Sequence, residues 1–246
     1  AVTFTNKAAR EMRDRLSAMV ACDLRHLWMG TFHGTAHRIL RAHAREANLP
    51  PTFQIIDTAD QLSLIRRIMK EAGIDPKLRD PKTVQWSINS YKEQGLRAAA
   101  VAAREEDETR VTLYQTYEAR CQREGLVDFA ELMLRCVELL EGNQLVREHY
   151  NDRFKYVLVD EFQDTDSLQF RLIKALCPPK QLNACVFCVG DDDQSIYAFR
   201  GAKVGNMSDF VKEYKVEKII KLEQNYRSTS HILDGANAVI ANNKDR

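Results

Sequence analysis

Tyr156-Val157-Leu158-Val159-Asp160-Glu161-Phe162-Gln163-Asp164-Thr165-Asp166 is the stretch on which the reading of this chain turns. Its first four residues are apolar and rich in β-formers, the pattern of a short buried strand. The strand runs straight into two adjacent carboxylates, Asp160 and Glu161. In open α/β sheets, ligands bind beyond the carboxyl ends of the strands. An acidic pair there suits phosphoryl chemistry, with one carboxylate for Mg²⁺ and its neighbour to activate a water. The same residues also fit a plainer role, as an acidic segment in which Asp164 or Asp166 caps the following helix. Taken alone, the stretch leaves both readings open.

A second apolar run, 184–189, ends in Gly190-Asp191-Asp192-Asp193-Gln194. Two strand ends with polar clusters on one sheet edge point to a convergent site more strongly than either does alone. A Gln can hydrogen-bond a phosphoryl oxygen or a water without adding negative charge to an anionic site. Asp192 and Asp193 read as turn residues, with a second metal site as the alternative. Next, Tyr197 and Phe199 stand two residues apart beside Arg200. That grouping suits stacking on single-stranded bases, or aromatics packed on the sheet. Asn225-Tyr226-Arg227-Ser228 follows a third expected strand, over 218–222. Arg227 there fits a finger that stabilises transition-state charge, and Tyr226 a stacking platform. On the plainer reading Ser228 is an N-cap and Arg227 a surface charge.

Towards the N-terminus, Ala1-Val2-Thr3-Phe4-Thr5 is β-like, and Asn6 is expected to cap a helix over 7–20. A strand over 27–32, ending at His33, and a helix over 35–44 follow. From residue 49 to about 150 the texture is helical. Helices start at Asp57 and Pro81, Val111, Tyr114, Tyr117 and Cys121 mark a third, and Asp128 caps a fourth that carries Phe129, Leu132 and Met133. The aromatic and Met positions in these stripes read as core, and 97–110 as a loose connection. Later helices are expected over 167–177, 207–214 and 228–242. Strands alternating with helices imply an α/β fold with a parallel sheet, into which a large helical block is inserted.

The 246 residues leave room for one large or two modest domains, and 44% hydrophobic with 29% charged residues is an ordinary globular composition. Net charge is +1, from 36 basic and 35 acidic residues. A nucleic-acid role therefore rests on local rather than global charge. No apolar run approaches the ~20 residues that cross a bilayer, so no membrane partner is expected. The six cysteines sit in apolar patterns and read as buried, reduced thiols, which suits the cytoplasm. Cys185 and Cys188 have metal-ligand spacing but lie inside a predicted strand and lack a second pair.

Five segments now fall into one series: Phe4-Thr5-Asn6-Lys7-Ala8-Ala9, Thr31-Phe32-His33, Val159 to Asp164, Val189 to Tyr197, and Gln224 to Ser228. In order and spacing they resemble the motifs of the UvrD/Rep/PcrA-type superfamily-one DNA helicases, over essentially the whole chain. The resemblance implies a RecA-like first lobe of the P-loop NTPase kind, formed by 1–45 and 154–223. A helical insertion would span 46–153, and 224–246 would begin a second lobe. It implies ATP and Mg²⁺ as cofactors, and 3′→5′ translocation on single-stranded DNA with unwinding at the single-strand/duplex junction. DNA repair proteins would be among its partners. By position, Asp160 would hold Mg²⁺ through water and Glu161 would be the general base. Gln163 and Gln194 would sense the γ-phosphate, Arg227 would be the finger, and Tyr226 would stack on adenine. Phe4, Thr5, Asn6, Thr31, His33, Tyr197, Phe199 and Arg200 would follow the DNA. Phe199 departs from the Trp of many relatives and offers a smaller ring. No Gly-x-x-x-x-Gly-Lys-Ser/Thr occurs in the chain, whereas the family carries one as its phosphate cradle. An internal piece of a longer helicase, with little ATPase of its own, is the expectation. A non-enzymatic module binding single-stranded DNA or protein, and a lobe of a helicase–nuclease, are the alternatives.

Overall fold

A computed structural model of the chain describes residues 1–21, 23–179, 184–195 and 205–242. The chain opens with β1 (Val2–Thr3), α1 (Asn6–Met19), β2 (Gly30–Thr31) and α2 (Phe32–Ala42). The helical block holds β3 (Gln54–Ile55), α3 (Thr58–Glu71), α4 (Pro81–Glu93), α5 (Ala98–Val101) and α6 (Glu108–Glu124). It continues through β4 (Leu126–Val127), α7 (Phe129–Gly142) and α8 (Gln144–Arg153). Then come β5 (Tyr156–Val159), α9 (Ser167–Leu176), β6 (Cys185–Cys188), α10 (Asn206–Glu213) and α11 (Ser230–Ile240).

The expected parallel sheet is present, in the order β2-β1-β5-β6. Val2 lies opposite both Gly30 and Val159, and Val159 opposite Cys188. Because the strands share one direction, Thr3, Thr31, Val159 and Cys188 all lead out on the same edge. On β5 only Val157 and Val159 point into the core, while Tyr156 and Leu158 are exposed. The run read as a buried strand is therefore half-buried, with period-2 alternation. On β6 the same alternation exposes Cys185. Three residues apart on a strand, Cys185 and Cys188 face opposite ways, so their spacing does not make a chelate.

Helix starts follow their caps. Thr5 Oγ1 accepts from the Ala8 amide at 3.1 Å, and Thr31 Oγ1 from Gly34 at 3.1 Å. Thr5 thus takes the role expected of Asn6, which becomes the first helical residue. Thr31 starts α2 three residues earlier than expected and puts His33 in its first turn. Asp57, Asp80, Asp107, Asp128 and Asp166 cap later helices, each cap contributing about 1 kcal/mol. At the other end, Ser228 does not cap α11: Thr229 holds that position without a side-chain bond.

Buried apolar residues form two clusters. One gathers Ile39 and Leu40 of α2, Leu134 and Leu140 of α7, and Ile173 of α9 beneath the sheet. The other joins Ile65, Met69, Ile88, Tyr114 and Tyr117 within α3, α4 and α6. By packing, α7 and α8 go with the sheet's cluster, although they lie within the helical block in sequence. The segment 97–110 is not loose: α5 forms there, with Ala98 and Val101 buried, and Arg97 is held by three carboxylates. The helical block also contains the parallel pair β3–β4, whose two-residue strands are too short to show a period. The strand expected over 218–222 does not form. Ile219, Ile220 and Leu222 have strand-like chemistry but are exposed, and no strand among the described residues lies beside them to complete a ladder. Among the described residues, no helix is long and apolar enough to cross a membrane.

Candidate functional site

At the carboxyl edge of the sheet, backbone bonds fix the relative positions of three strand ends. The Asp160 amide donates to Val2 O at 3.0 Å, and the Phe162 amide to Val189 O at 2.9 Å. Thr3 Oγ1 donates to Asp160 Oδ2 at 3.2 Å, so the strand beside β5 orients the first carboxylate. Glu161 has φ +52°, a left-handed conformation that a non-glycine residue rarely holds. That turn swings the chain off the strand into the 3₁₀ segment Phe162–Asp164 and leaves the Glu161 side chain exposed. Strain of about 1–3 kcal/mol at such a residue persists only where its surroundings enforce it, and functional loops are the usual place.

Gln163 is among the groups that hold this turn. The side chain is buried and bonded at both ends: Nε2 donates to Glu161 Oε2 at 2.7 Å, and Oε1 accepts from the Asp191 amide at 3.1 Å. One carboxamide thus ties the acid after β5 to the turn after β6. Gly190 makes room for it, because a Cβ there would lie 2.7 Å from Gln163 Oε1 and 3.2 Å from Gln163 N. Gln194 turns elsewhere, donating from Nε2 to Asp191 Oδ2 at 2.6 Å, and is exposed. Asp191 also accepts from the Asp193 amide, which makes it the cap of the short turn Asp192–Gln194.

The edge is strongly anionic. No Lys or Arg among the described residues pairs with Asp160, Glu161, Asp164, Asp191 or Asp192. Burial and the nearby Glu161 push the Asp164 carboxyl above its usual range, and one of its oxygens is buried without a partner. Burial and the two flanking aspartates do the same to Asp192. Mg²⁺ suits this donor set: it prefers hard oxygen ligands, keeps several waters, and takes one or two carboxylates together with substrate phosphates. A dedicated cage is not needed, and no group of three or more His, Cys, Asp or Glu forms one among the described residues.

Beside this edge, a cleft between the sheet's lobe and the helical block brings together Phe4 and His33 with Trp86 and Phe129. His33 packs edge-on against Phe129, with ring centroids 6.2 Å apart, and burial lowers its pKa so that it is neutral near pH 7. Phe129 reads as core from its helical stripe but is half exposed, and Trp86 on α4 is 69% exposed. Only an aromatic on the polar side of a stripe could have signalled this. Tyr226 and Arg227 lie in an exposed segment, where the Asn225 side chain accepts from the Arg227 and Ser228 amides. No hydrogen bond or ion pair among the described residues brings Arg227 to the carboxylates. Tyr197, Phe199 and Arg200 lie outside the described residues.

The profile of the UvrD/REP helicase N-terminal domain matches residues 1–215. DNA helicase II of Haemophilus influenzae is 48% identical over 252 residues, an alignment that covers 100% of this chain and 34% of the relative. DNA helicase II of Escherichia coli is likewise 48% identical, over 248 residues, with 100% and 34% covered. The ATP-dependent DNA helicase PcrA of Bacillus subtilis is 41% identical over 249 residues, with 100% and 33% covered. The chain thus spans about a third of the length of these curated relatives.

Proposed function

Since this chain belongs to the UvrD/REP helicase N-terminal domain family, we propose that it contributes the carboxylate half of the hydrolysis site of an ATP-dependent DNA helicase. The observation that carries this reading is the Gln163 bridge from Glu161 to the Asp191 amide, at the edge where the strands end. Glu161, oriented by that carboxamide, is the general base that takes a proton from the attacking water. Asp160, oriented by Thr3, would hold magnesium, which would supply charge neutralisation on the phosphate oxygens. Loss of the γ-phosphate is sensed at Gln163 and Gln194, whose bonds both end on Asp191. Arg227 supplies the finger, a role worth on the order of 10³-fold in related chemistry, and Tyr226 stacks on adenine. The chain contains no Gly-x-x-x-x-Gly-Lys-Ser/Thr, so the phosphate cradle is not among its residues.

Phe4, Thr5, Asn6, Thr31 and His33, with Tyr197, Phe199 and Arg200, form the track for single-stranded DNA, along which the enzyme moves 3′→5′ towards the duplex junction. Residues 1–45 and 154–223 act as the first RecA-like lobe, 46–153 as the insertion, and 224–246 as the start of the second lobe. Cytoplasmic DNA repair is the setting we infer.

The test is ATP turnover by the complete gene product, with and without single-stranded DNA. DNA should stimulate turnover, and Glu161→Gln should lower the stimulated rate by about 10²–10⁴-fold while leaving DNA binding intact. The 246-residue chain alone should turn over little ATP. Robust, Glu161-dependent hydrolysis by the isolated chain would refute that part. Unstimulated turnover by the complete protein would refute the whole.

A further inference from the structure

The described residues of the DNA track carry no charge. Phe4, Thr5, Asn6, Thr31 and neutral His33 offer stacking and uncharged hydrogen bonds. Single-strand binding ordinarily pairs such platforms with a positively charged groove. The helix α2 begins at this track, with Thr31 as its cap and His33 in its first turn. It then runs back beside the start of β2, since Arg38 reaches Trp28, which precedes that strand. Along this face lie Arg38, Arg41 and, in the turns after the helix, Arg45, all exposed.

Trp28 organises one end of the stripe. Tyr150 and Phe154 hold its ring edge-on, with centroids 5.8 and 5.1 Å away. The Arg38 guanidinium lies 4.0 Å from the ring centroid, and that of Arg153, the last residue of α8, lies 5.6 Å from it. Two cations thus share one indole, and among the described residues no carboxylate pairs with either. Arg41 stacks 3.7 Å over Phe53 and donates only to neutral acceptors, His37 Nε2 at 2.9 Å and Pro51 O at 3.2 Å. The neighbouring acids are engaged elsewhere. Asp152 lies 3.6 Å from Lys155, Glu148 accepts from Gln144 at 2.7 Å, and Glu46 lines a separate hollow with Arg97 and Arg135. Like charges held together repel one another, and the indole face offsets only part of that. The planar fork of a guanidinium matches a phosphate, and all four cations are arginines.

We propose that Arg38, Arg41, Arg45 and Arg153 form a second DNA-binding surface, which takes the phosphodiester backbone of a strand beyond the track. This rests on the helicase reading above. A nucleic acid is favoured over an acidic protein because the stripe continues the helix that carries Thr31 and His33, and because those track residues leave the phosphates unneutralised. Contacts to phosphate position a strand without reading its sequence. The anionic sheet edge repels the backbone while the α2 face attracts it, so the two surfaces orient the strand between them.

The experiment measures oligo(dT) affinity of the complete gene product by fluorescence anisotropy, across salt concentrations and oligonucleotide lengths. The triple variant Arg38→Gln, Arg45→Gln, Arg153→Gln should lower the slope of log K against log [salt] by about 2, as expected for three phosphates of a single strand. Affinity for long oligonucleotides should fall about 10–100-fold at low salt. Affinity for oligonucleotides that only fill the track, and ATP turnover at saturating long DNA, should stay within about twofold. An unchanged slope, or an equal loss on short and long strands, overturns the proposal. Arg66→Gln with Lys70→Gln, on α3, should leave the slope alone; a matching fall there would mark a general field effect and overturn it too. If the triple variant does not fold, Arg45→Gln alone decides, since Arg45 makes no hydrogen bond or ion pair among the described residues. Its slope should fall by about 0.7, and no fall overturns the proposal. Unchanged DNA binding with lost binding of poly-glutamate would assign the surface to an acidic protein instead. A wild type that binds no single strand overturns the helicase reading first, and this inference with it.

Discussion

Lys92 on α4 and Asp160 after β5 are both charged residues held by hydrogen bonds, and their electrical surroundings are opposite. Lys92 Nζ lies 2.6 Å from Asp128 Oδ2 and 3.0 Å from Glu131 Oε2, and all three side chains are almost completely buried. Glu131 also meets Arg97 at 2.8 Å and Arg135 at 2.6 Å, and Tyr117 Oη donates to Asp128 Oδ2 at 2.7 Å. Burial alone would lower the Lys92 pKa, yet Asp128 and Glu131 outweigh it and hold the ammonium charged well above its ordinary range. Burial would likewise raise Glu131, but Lys92, Arg97 and Arg135 bring it well below the usual carboxylate value. Around Asp160 the carboxylates gather, and no Lys or Arg among the described residues pairs with them. A neutralised network is a finished structure. An unneutralised one, at the open edge of a sheet, is half of an interaction whose other half is a cation or a phosphate-bound metal.

That contrast is broken or sharpened by removing one charge from each group. Lys92→Met leaves Asp128 and Glu131 buried without their ammonium and should destabilise the fold by about 3–5 kcal/mol, read as a shift of the urea midpoint. Glu161→Gln, in the same assay, should leave the midpoint unchanged or raise it slightly, because it removes repulsion from the anionic edge. Comparable destabilisation by both would show that the sheet-edge carboxylates are structural too. Arg97→Ala comes next in size. Arg97 is partly exposed, and Glu131 keeps Lys92 and Arg135 when it is lost, so the cost should be about 2 kcal/mol. A cost equal to that of Lys92→Met would mean that the network is not redundant.

The two regions also differ in how far the chain announces them. The sheet edge was legible because a strand shows itself by an apolar run, and a site by the polar residues that end it. Asp160, Glu161 and Asp191 to Gln194 are adjacent in sequence to the strands that carry them. The bonds among them were not legible: nothing local says that Gln163 spans to the Asp191 amide. The ionic network was invisible for a related reason. Lys92 and Arg97 lie far in sequence from Asp128 and Glu131; Asp128 reads as a cap and the others as ordinary surface charges, and only Glu131 and Arg135 share a helix at the spacing of a charge pair. Thr5 and Asn6 are both competent caps, and only the reach of the hydroxyl to Ala8 decides between them. The β-formers at 218–222 misled because strand propensity describes fit to a neighbour, and no strand among the described residues pairs with them.

Asp166 gives the smallest test and the most direct one, since it stands between the two cases. It caps α9 in a reciprocal box: Asp166 Oδ1 accepts from the Gln169 amide at 2.8 Å, and Gln169 Oε1 accepts from the Asp166 amide at 3.3 Å. Even so, burial pushes its carboxyl up to about 6, against the pull of the Gln169 and Leu168 amides. Across the cleft, burial and the charge on Asp166 push Glu93 up to about 7. Among the described residues no cation pairs with Asp166, as none pairs with Asp160. Between its ordinary value near 4 and about 6, the folded state holds a proton that the unfolded chain has released. Stability from this group is therefore present below that window and is lost as pH rises through it. Asp166→Asn keeps the cap and removes the charge. At pH 8 it should stabilise the protein by on the order of 1 kcal/mol, allowing for partial solvent access and a weaker neutral cap. Below pH 4 the variant and wild type should converge. Melting curves from pH 4 to 8 would show this as a gap opening between pH 4 and 6; a gap of constant size would mean that the carboxyl titrates normally and that solvent, not a missing cation, sets its state.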